Sequence, residues 1–387
     1  MKHEKPKKIS SRACDLTPFL VMDVLEEAHR MGREGVDVIH LEVGEPDFDT
    51  PRSVVEAAKK ALADGHTHYT HSLGLIELRE AVAEHYLKRY QVQVHPDQIV
   101  VTSGTSPAMF MLCSALIDTG DSMIVSDPHY ACYPNFIRFA GGTPITVPVF
   151  EEDGFQYRPE DISKKINART RGIFINSPSN PTGNLLSPER MRAVAELEPY
   201  IISDEIYHGL VYDGQEQSIL EHTDHAFVLN GFSKLYAMTG WRLGYVIAPK
   251  EFVRTLQCMC QNFFICPNSV VQWAGIAALK ETGPDIEKMK AIYNERRKFM
   301  IKRLTEIGLG ITVPPTGAFY VLANARHLSG DSLSLAYDIL EKARVGVAPG
   351  IDFGQNAEGY LRFSYANSLE NIARGMDRLE RYVKENY

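Results

Sequence analysis

The chain has 387 residues, with 41 Lys and Arg against 49 Asp and Glu, so the net charge is 41 − 49 = −8, and 44% of residues are apolar. A mildly acidic balance without a basic stripe excludes a global field that would hold nucleic acid or an anionic membrane surface. No run approaches the roughly 18 consecutive apolar residues of a membrane-crossing helix.

At about 150 residues per domain, the length predicts two or three domains. Lys2, Lys5, Lys7 and Lys8 could open a secretory signal, but Arg12 and Asp15 fall where an apolar core would have to run, so a cytoplasmic protein is expected. Cysteines 14, 113, 132, 258, 260 and 266 are too irregular for a disulfide framework and read as reduced thiols. Cys258, Cys260 and Cys266 lack paired C-x₂-C hooks, and no metal site is expected.

From about residue 95 to 250, short apolar runs alternate with helix-like stretches, the pattern of parallel βαβ units. Strands are predicted at Ile99-Val100-Val101, Met123-Ile124-Val125, Ile173-Phe174-Ile175, Ile201-Ile202 and Phe227-Val228-Leu229, and a helix over Ser187 to Leu197. After Pro284, apolar residues from Ile286 to Ile307 recur at helical spacing until Gly308, predicting a long amphipathic helix. A strand over Ala318 to Leu322 and a periodic stretch from Leu369 complete a smaller α+β part.

Ligands of open α/β sheets sit at the carboxyl ends of strands, so the residues after each run matter most. Thr102-Ser103-Gly104-Thr105-Ser106 precedes a helix and can present free N–H groups to an anion, although such turns more commonly just cap a helix. Asn176 to Gly183 is either merely a turn or a pair of Pro-bearing turns whose rigid loop points Asn side chains beyond the strand end. Asp204, at the end of an apolar strand, is either a helix cap or a partner for a cationic ligand group. Lys234, after Asn230-Gly231-Phe232-Ser233, is either solvated or a desolvated amine fit for Schiff-base chemistry. Arg242 suits a phosphate or a surface ion pair.

Together these pieces resemble the fold-type I pyridoxal-phosphate enzymes, specifically the class I/II, aspartate-aminotransferase-like aminotransferases. The resemblance adds Gly44-Glu45-Pro46-Asp47-Phe48, Tyr69 with Gly74 and Leu78-Arg79, Asn180-Pro181-Thr182-Gly183, Ser203 to Tyr207, Ser233-Lys234 through Arg242, and Arg362 to Ala366. It implies a large cofactor domain over 46–281 with a mostly parallel seven-stranded sheet between helices, and a small α+β domain from 1–45 and 282–387. Lys234 would hold pyridoxal 5'-phosphate as a Schiff base and then move the Cα proton, Asp204 would pair with the pyridine nitrogen, and Tyr207 and Asn180 would bond the ring's phenolic oxygen.

Gly104, Thr105, Ser106, Ser233 and Arg242 would bind the phosphate, Tyr130 would stack on the ring, and Tyr69 would reach the phosphate of a second subunit in a homodimer. Arg362, helped by Gly44 and Asn180, would clamp the substrate carboxylate. His66, His68 and His71 are assigned to the site rim, and Glu205 to a supporting position. Some aspartate-specific relatives carry a Lys where Ser106 stands, so a neutral or aromatic donor fits at least as well as aspartate, and Phe263 and Phe264 offer an apolar wall. The implied reaction is ping-pong transfer of an amino group from an L-amino acid to a 2-oxo acid. A β-eliminating C–S lyase on the same fold and a non-catalytic metabolite-binding protein are the alternatives.

Overall fold

A computed structural model describes residues 9–387. The lysines at 2, 5, 7 and 8, read above against a signal sequence, lie outside the described residues. In chain order the strands are β1 (Ile39–His40), β2 (Ile99–Thr102), β3 (Ser122–Asp127), β4 (Thr143–Pro148), β5 (Thr170–Asn176), β6 (Tyr200–Asp204), β7 (Ala226–Gly231), β8 (Gly244–Ile247), β9 (Tyr320–Asn324), β10 (Val345–Gly346), β11 (Ala348–Pro349) and β12 (Tyr360–Ser364).

Among the described residues, seven strands form the large sheet in the order β2-β8-β7-β6-β5-β3-β4. β8 runs antiparallel to β2 and β7, and the other pairings are parallel. The central strands are apolar and buried on both faces, as a sheet covered by helices on both sides requires. All five predicted runs lie in this sheet. β4 was not among them because its Thr-Pro-Ile-Thr-Val-Pro sequence breaks the apolar run; as the edge strand, it tolerates prolines that a central strand would not.

The smaller part holds a three-stranded antiparallel sheet, β11-β12-β9, and the parallel pair β1-β10, which joins an early segment to a late one. The long helix runs over Gly283–Ile307 and buries Met289, Tyr293, Met300 and Leu304. It ends where Gly308 turns left-handed at φ +99°, a conformation that glycine adopts without Cβ strain. The helix predicted from Ser187 spans Pro188–Ala195, with the Ser187 hydroxyl accepting the Arg190 N–H. The strand predicted over Ala318 to Leu322 begins two residues later, because Ala318 takes φ +54° and cannot extend the ladder. No helix among the described residues is long and apolar enough to cross a membrane.

Candidate active site

The parallel strands all deliver their carboxyl ends to one edge of the large sheet. β8 begins at that edge because it is reversed, which is how Arg242, two residues before it, joins side chains that follow the other strands. A cavity of about 330 Å³ opens there, between the edge and the smaller part, and Gly44, Thr105, Tyr130, Asn180, Asp204, Tyr207, Lys234 and Arg362 line it. A larger, open cleft of about 810 Å³ adjoins it; Glu45 lines both, and Arg242 and Ser103 line the cleft.

Lys234 is half-buried, and its ammonium donates to the Gly44 carbonyl at 2.5 Å. Burial pushes its pKa down to about 8; Glu45 opposes the shift, and the positive charges of Arg362 and Arg242 reinforce it. About a tenth of the amine is therefore uncharged at pH 7, against a few parts in ten thousand for an ordinary lysine.

Asp204 is buried at the end of β6. Its Oδ2 accepts the Tyr133 hydroxyl at 2.7 Å and its Oδ1 accepts the Ile206 N–H at 3.2 Å. Burial nevertheless pushes the carboxyl up to about 6. Among the described residues no cationic side chain is bonded to it, so an N–H⁺ brought into the cavity would find a carboxylate waiting for a counter-charge.

Arg362 sits in β12 with 2% of its surface exposed. Nη1 donates to Asn180 Oδ1 at 2.8 Å and Nη2 to the Glu42 carbonyl at 2.5 Å, while the rings of Tyr320 and Phe353 pack against the guanidinium at 4.4 and 4.8 Å. Nε is buried without a partner. A buried guanidinium held by neutral acceptors, with one N–H unmet, is built for an incoming carboxylate.

Gly104 takes φ +92° ahead of the helix Thr105–Leu116, and the Thr102 hydroxyl donates to its carbonyl at 2.8 Å. A Cβ there would come within 2.6 Å of Arg242 Nη2, so the guanidinium rests directly on the turn. Arg242 itself is left-handed at φ +54° and donates from Nη1 to the Thr239 carbonyl at 3.0 Å. Helix N–H groups and a guanidinium at one spot make an anion cradle. Gly44 is required for a different reason: a Cβ would lie 2.2 Å from the Tyr320 hydroxyl, which bonds the Tyr207 hydroxyl at 2.8 Å.

Of the remaining predicted residues, Ser233 is half-buried beside Lys234, Ser106 is exposed at the helix start, and Tyr69 is 84% exposed and outside the cavity. Phe263, 62% exposed, and Phe264 do not line the cavity, so the apolar wall expected from them is absent there. It comes instead from Phe19, Val21, Met22 and Leu25, at the start of the helix Leu20–Arg33. That wall, Tyr320 and Tyr133 were missed by sequence reasoning. Tyr133 carried a usable signal, lying six residues beyond a strand end.

Glu205 accepts hydrogen bonds from Ser203, Ser218, Ile219 and Tyr86 and lies outside the cavity lining. His66 packs at a tilt on Trp273 with ring centroids 4.7 Å apart, and His71 accepts the Leu73 N–H. Among the described residues no cluster of His, Cys, Asp or Glu is arranged to hold a metal ion.

The sequence profile of the family "Aminotransferase class I and II" matches residues 36–379. The chain belongs to this family. It is 40% identical over 381 residues to the (5-formylfuran-3-yl)methyl phosphate transaminase of Methanocaldococcus jannaschii, covering 97% of this chain and all of that protein. It is 39% identical over 383 residues to the aspartate/prephenate aminotransferase of Thermus thermophilus, covering 97% and 98%. A solved structure of Thermus thermophilus aspartate aminotransferase with maleate superposes with a TM-score of 0.93 at 38% identity, covering 97% of this chain and 99% of that one.

The aminotransferase uses pyridoxal phosphate and moves an amino group between an amino acid and a 2-oxo acid by way of pyridoxamine phosphate. The residues present fit that cofactor: a buried carboxylate lacking a cation suits the ring nitrogen, a desolvated lysine suits the aldehyde, and the cradle at Gly104 and Arg242 suits the phosphate.

Proposed function

We propose that this aminotransferase takes a neutral donor with a bulky apolar or aromatic side chain. The observation that carries the reading is the cavity lining: among the described residues its basic groups are Lys234 and Arg362, and Phe19, Val21, Met22 and Leu25 contribute an apolar set. With Arg362 on the α-carboxylate and Lys234 on the cofactor, this chain has no cation left for a side-chain carboxylate. The relatives' names span a furan phosphate and aspartate or prephenate, so kinship leaves the donor open, and the lining is what supports an apolar one.

When bound, pyridoxal phosphate supplies an aldehyde that captures amino groups and a ring that accepts the electrons released at Cα. Lys234 Nζ would anchor it and, when free, would take the proton from the donor's Cα. Asp204 would balance a protonated ring nitrogen, and Tyr207 and Asn180 would bond the phenolic oxygen. Tyr130 would cover the ring. Gly104, Thr105, Ser106, Ser233 and Arg242 would hold the phosphate. Arg362 orients the donor by its α-carboxylate, with Gly44 and Asn180 closing that end.

The working enzyme is a homodimer in which Tyr69 enters the partner's site at the phosphate end. Its exposure outside the cavity and the open cleft beside Arg242 both support this. Residues 46–281 form the cofactor domain, and 1–45 with 282–387 the small one; the β1-β10 pairing is consistent with that division. Six free cysteines suit a reducing cytoplasm. Mixing the holoenzyme with single amino acids and no acceptor tests the donor class: phenylalanine, leucine or methionine bleaches the lysine-bound absorption faster than aspartate does. Faster bleaching by aspartate, or steady release of ammonia, contradicts the reading.

A further inference from the structure

The helix Leu20–Arg33 begins without a cap of its own, since Phe19 precedes it and offers no side-chain acceptor. Its first N–H groups are met from far along the chain: Leu20 N–H donates to Asp352 Oδ1 at 3.0 Å and Val21 N–H to Asp352 Oδ2 at 3.1 Å. A carboxylate that takes one N–H on each oxygen fixes the angle of the helix as well as its position. A second tie holds the approach to the helix, where Thr17 N–H and Oγ1 donate to Asn135 Oδ1 and Asn135 Nδ2 donates back to the Thr17 carbonyl.

Asp352 lies in the short turn Gly350–Phe353. The next residue, Phe353, packs on the Arg362 guanidinium and shares a buried cluster with Val21. One turn therefore touches both halves of the donor site. It supports the arginine that takes the carboxylate and latches the helix whose first residues face the side chain.

We propose that Asp352 is a positioning residue for substrate selection, latching Phe19, Met22 and Leu25 against the cavity at a fixed distance from Arg362. This rests on the reading of the cavity as the site of a bulky apolar donor. Asp352 touches neither donor nor cofactor. Its effect falls on donors whose side chains reach the wall, and alanine, which does not, is spared.

The test is Asp352→Asn in the holoenzyme, with kcat and KM measured for phenylalanine and alanine against one acceptor. Asn keeps the volume but turns an N–H₂ towards one of the helix N–H groups. The expected result is a rise of about tenfold in KM for phenylalanine, kcat within about twofold, and alanine kcat/KM within about twofold. Should Asp352→Asn fold poorly, Asp352→Glu keeps both acceptor oxygens but moves them by one methylene from the Leu20 and Val21 N–H groups, and lowers the phenylalanine-to-alanine ratio of kcat/KM in the same direction. An unchanged ratio in either folded variant overturns the proposal, as does an equal loss for both donors. A wild-type enzyme that does not favour phenylalanine over alanine sinks the donor reading instead, which keeps the two failures apart.

Discussion

The cofactor side of the cavity hangs on the ends of adjoining strands in one sheet, whereas the donor side is assembled from segments as far as 332 residues apart. Asp204, Lys234 and Arg242 are placed by β6, β7 and β8, which are hydrogen-bonded neighbours. The donor side needs β12 for Arg362, the turn Gly350–Phe353 beneath it and the start of a helix from near the other chain end. The difference separates chemistry from choice. On the proposed reading, the sheet edge holds the groups that act on every donor, and the latched wall holds the groups that tell donors apart.

Substitutions on the two sides should therefore fail differently. Lys234→Ala removes the anchor and the Cα base together and is expected to lower transamination by at least about 10⁴-fold. Asp204→Asn leaves the fold intact but withdraws the buried charge and should cost ~10²–10³ in kcat for all donors, measured by steady-state rates at saturating cofactor. Equal losses of KM rather than kcat in that variant would place Asp204 on the wrong side of the comparison. Arg362→Lys loses the fork that grips a carboxylate, and a rise of roughly 10–100-fold in KM shared by alanine and phenylalanine is expected.

A milder effect comes from pH. Because burial depresses the Lys234 pKa to about 8, the apoenzyme should capture cofactor about fivefold faster at pH 8 than at pH 7 and level off above pH 9. A rate that climbs about tenfold from pH 8 to pH 9 would mean an ordinary, solvated ammonium. Smallest of all, Gly308→Ala at φ +99° should lower stability by about 1 kcal/mol with no change in either kinetic constant, since it lies in neither half of the site.

The same contrast explains what could be read from the sequence. β6 and β7 announce themselves as apolar runs, so Asp204 and Lys234 were visible as polar residues at strand ends, and the motif spacing placed Arg242 and Arg362 by family likeness. Tyr320 fell within a predicted strand, and nothing local indicates that its hydroxyl faces Tyr207 and forbids a side chain at Gly44. The wall was assigned to Phe263 and Phe264, aromatic neighbours that lie outside the cavity lining, while Met22 and Leu25, which do line it, drew no reading from the sequence. Their placement depends on Asp352, and a hydrogen bond across 332 residues leaves no periodic trace.

Borohydride reduction of the holoenzyme, followed by proteolysis and mass mapping, tests the central assignment most directly. A pyridoxyl group on the peptide containing Lys234, and on no other lysine, is the predicted result. A reduced adduct elsewhere, or an unmodified Lys234 peptide from fully loaded enzyme, would contradict it.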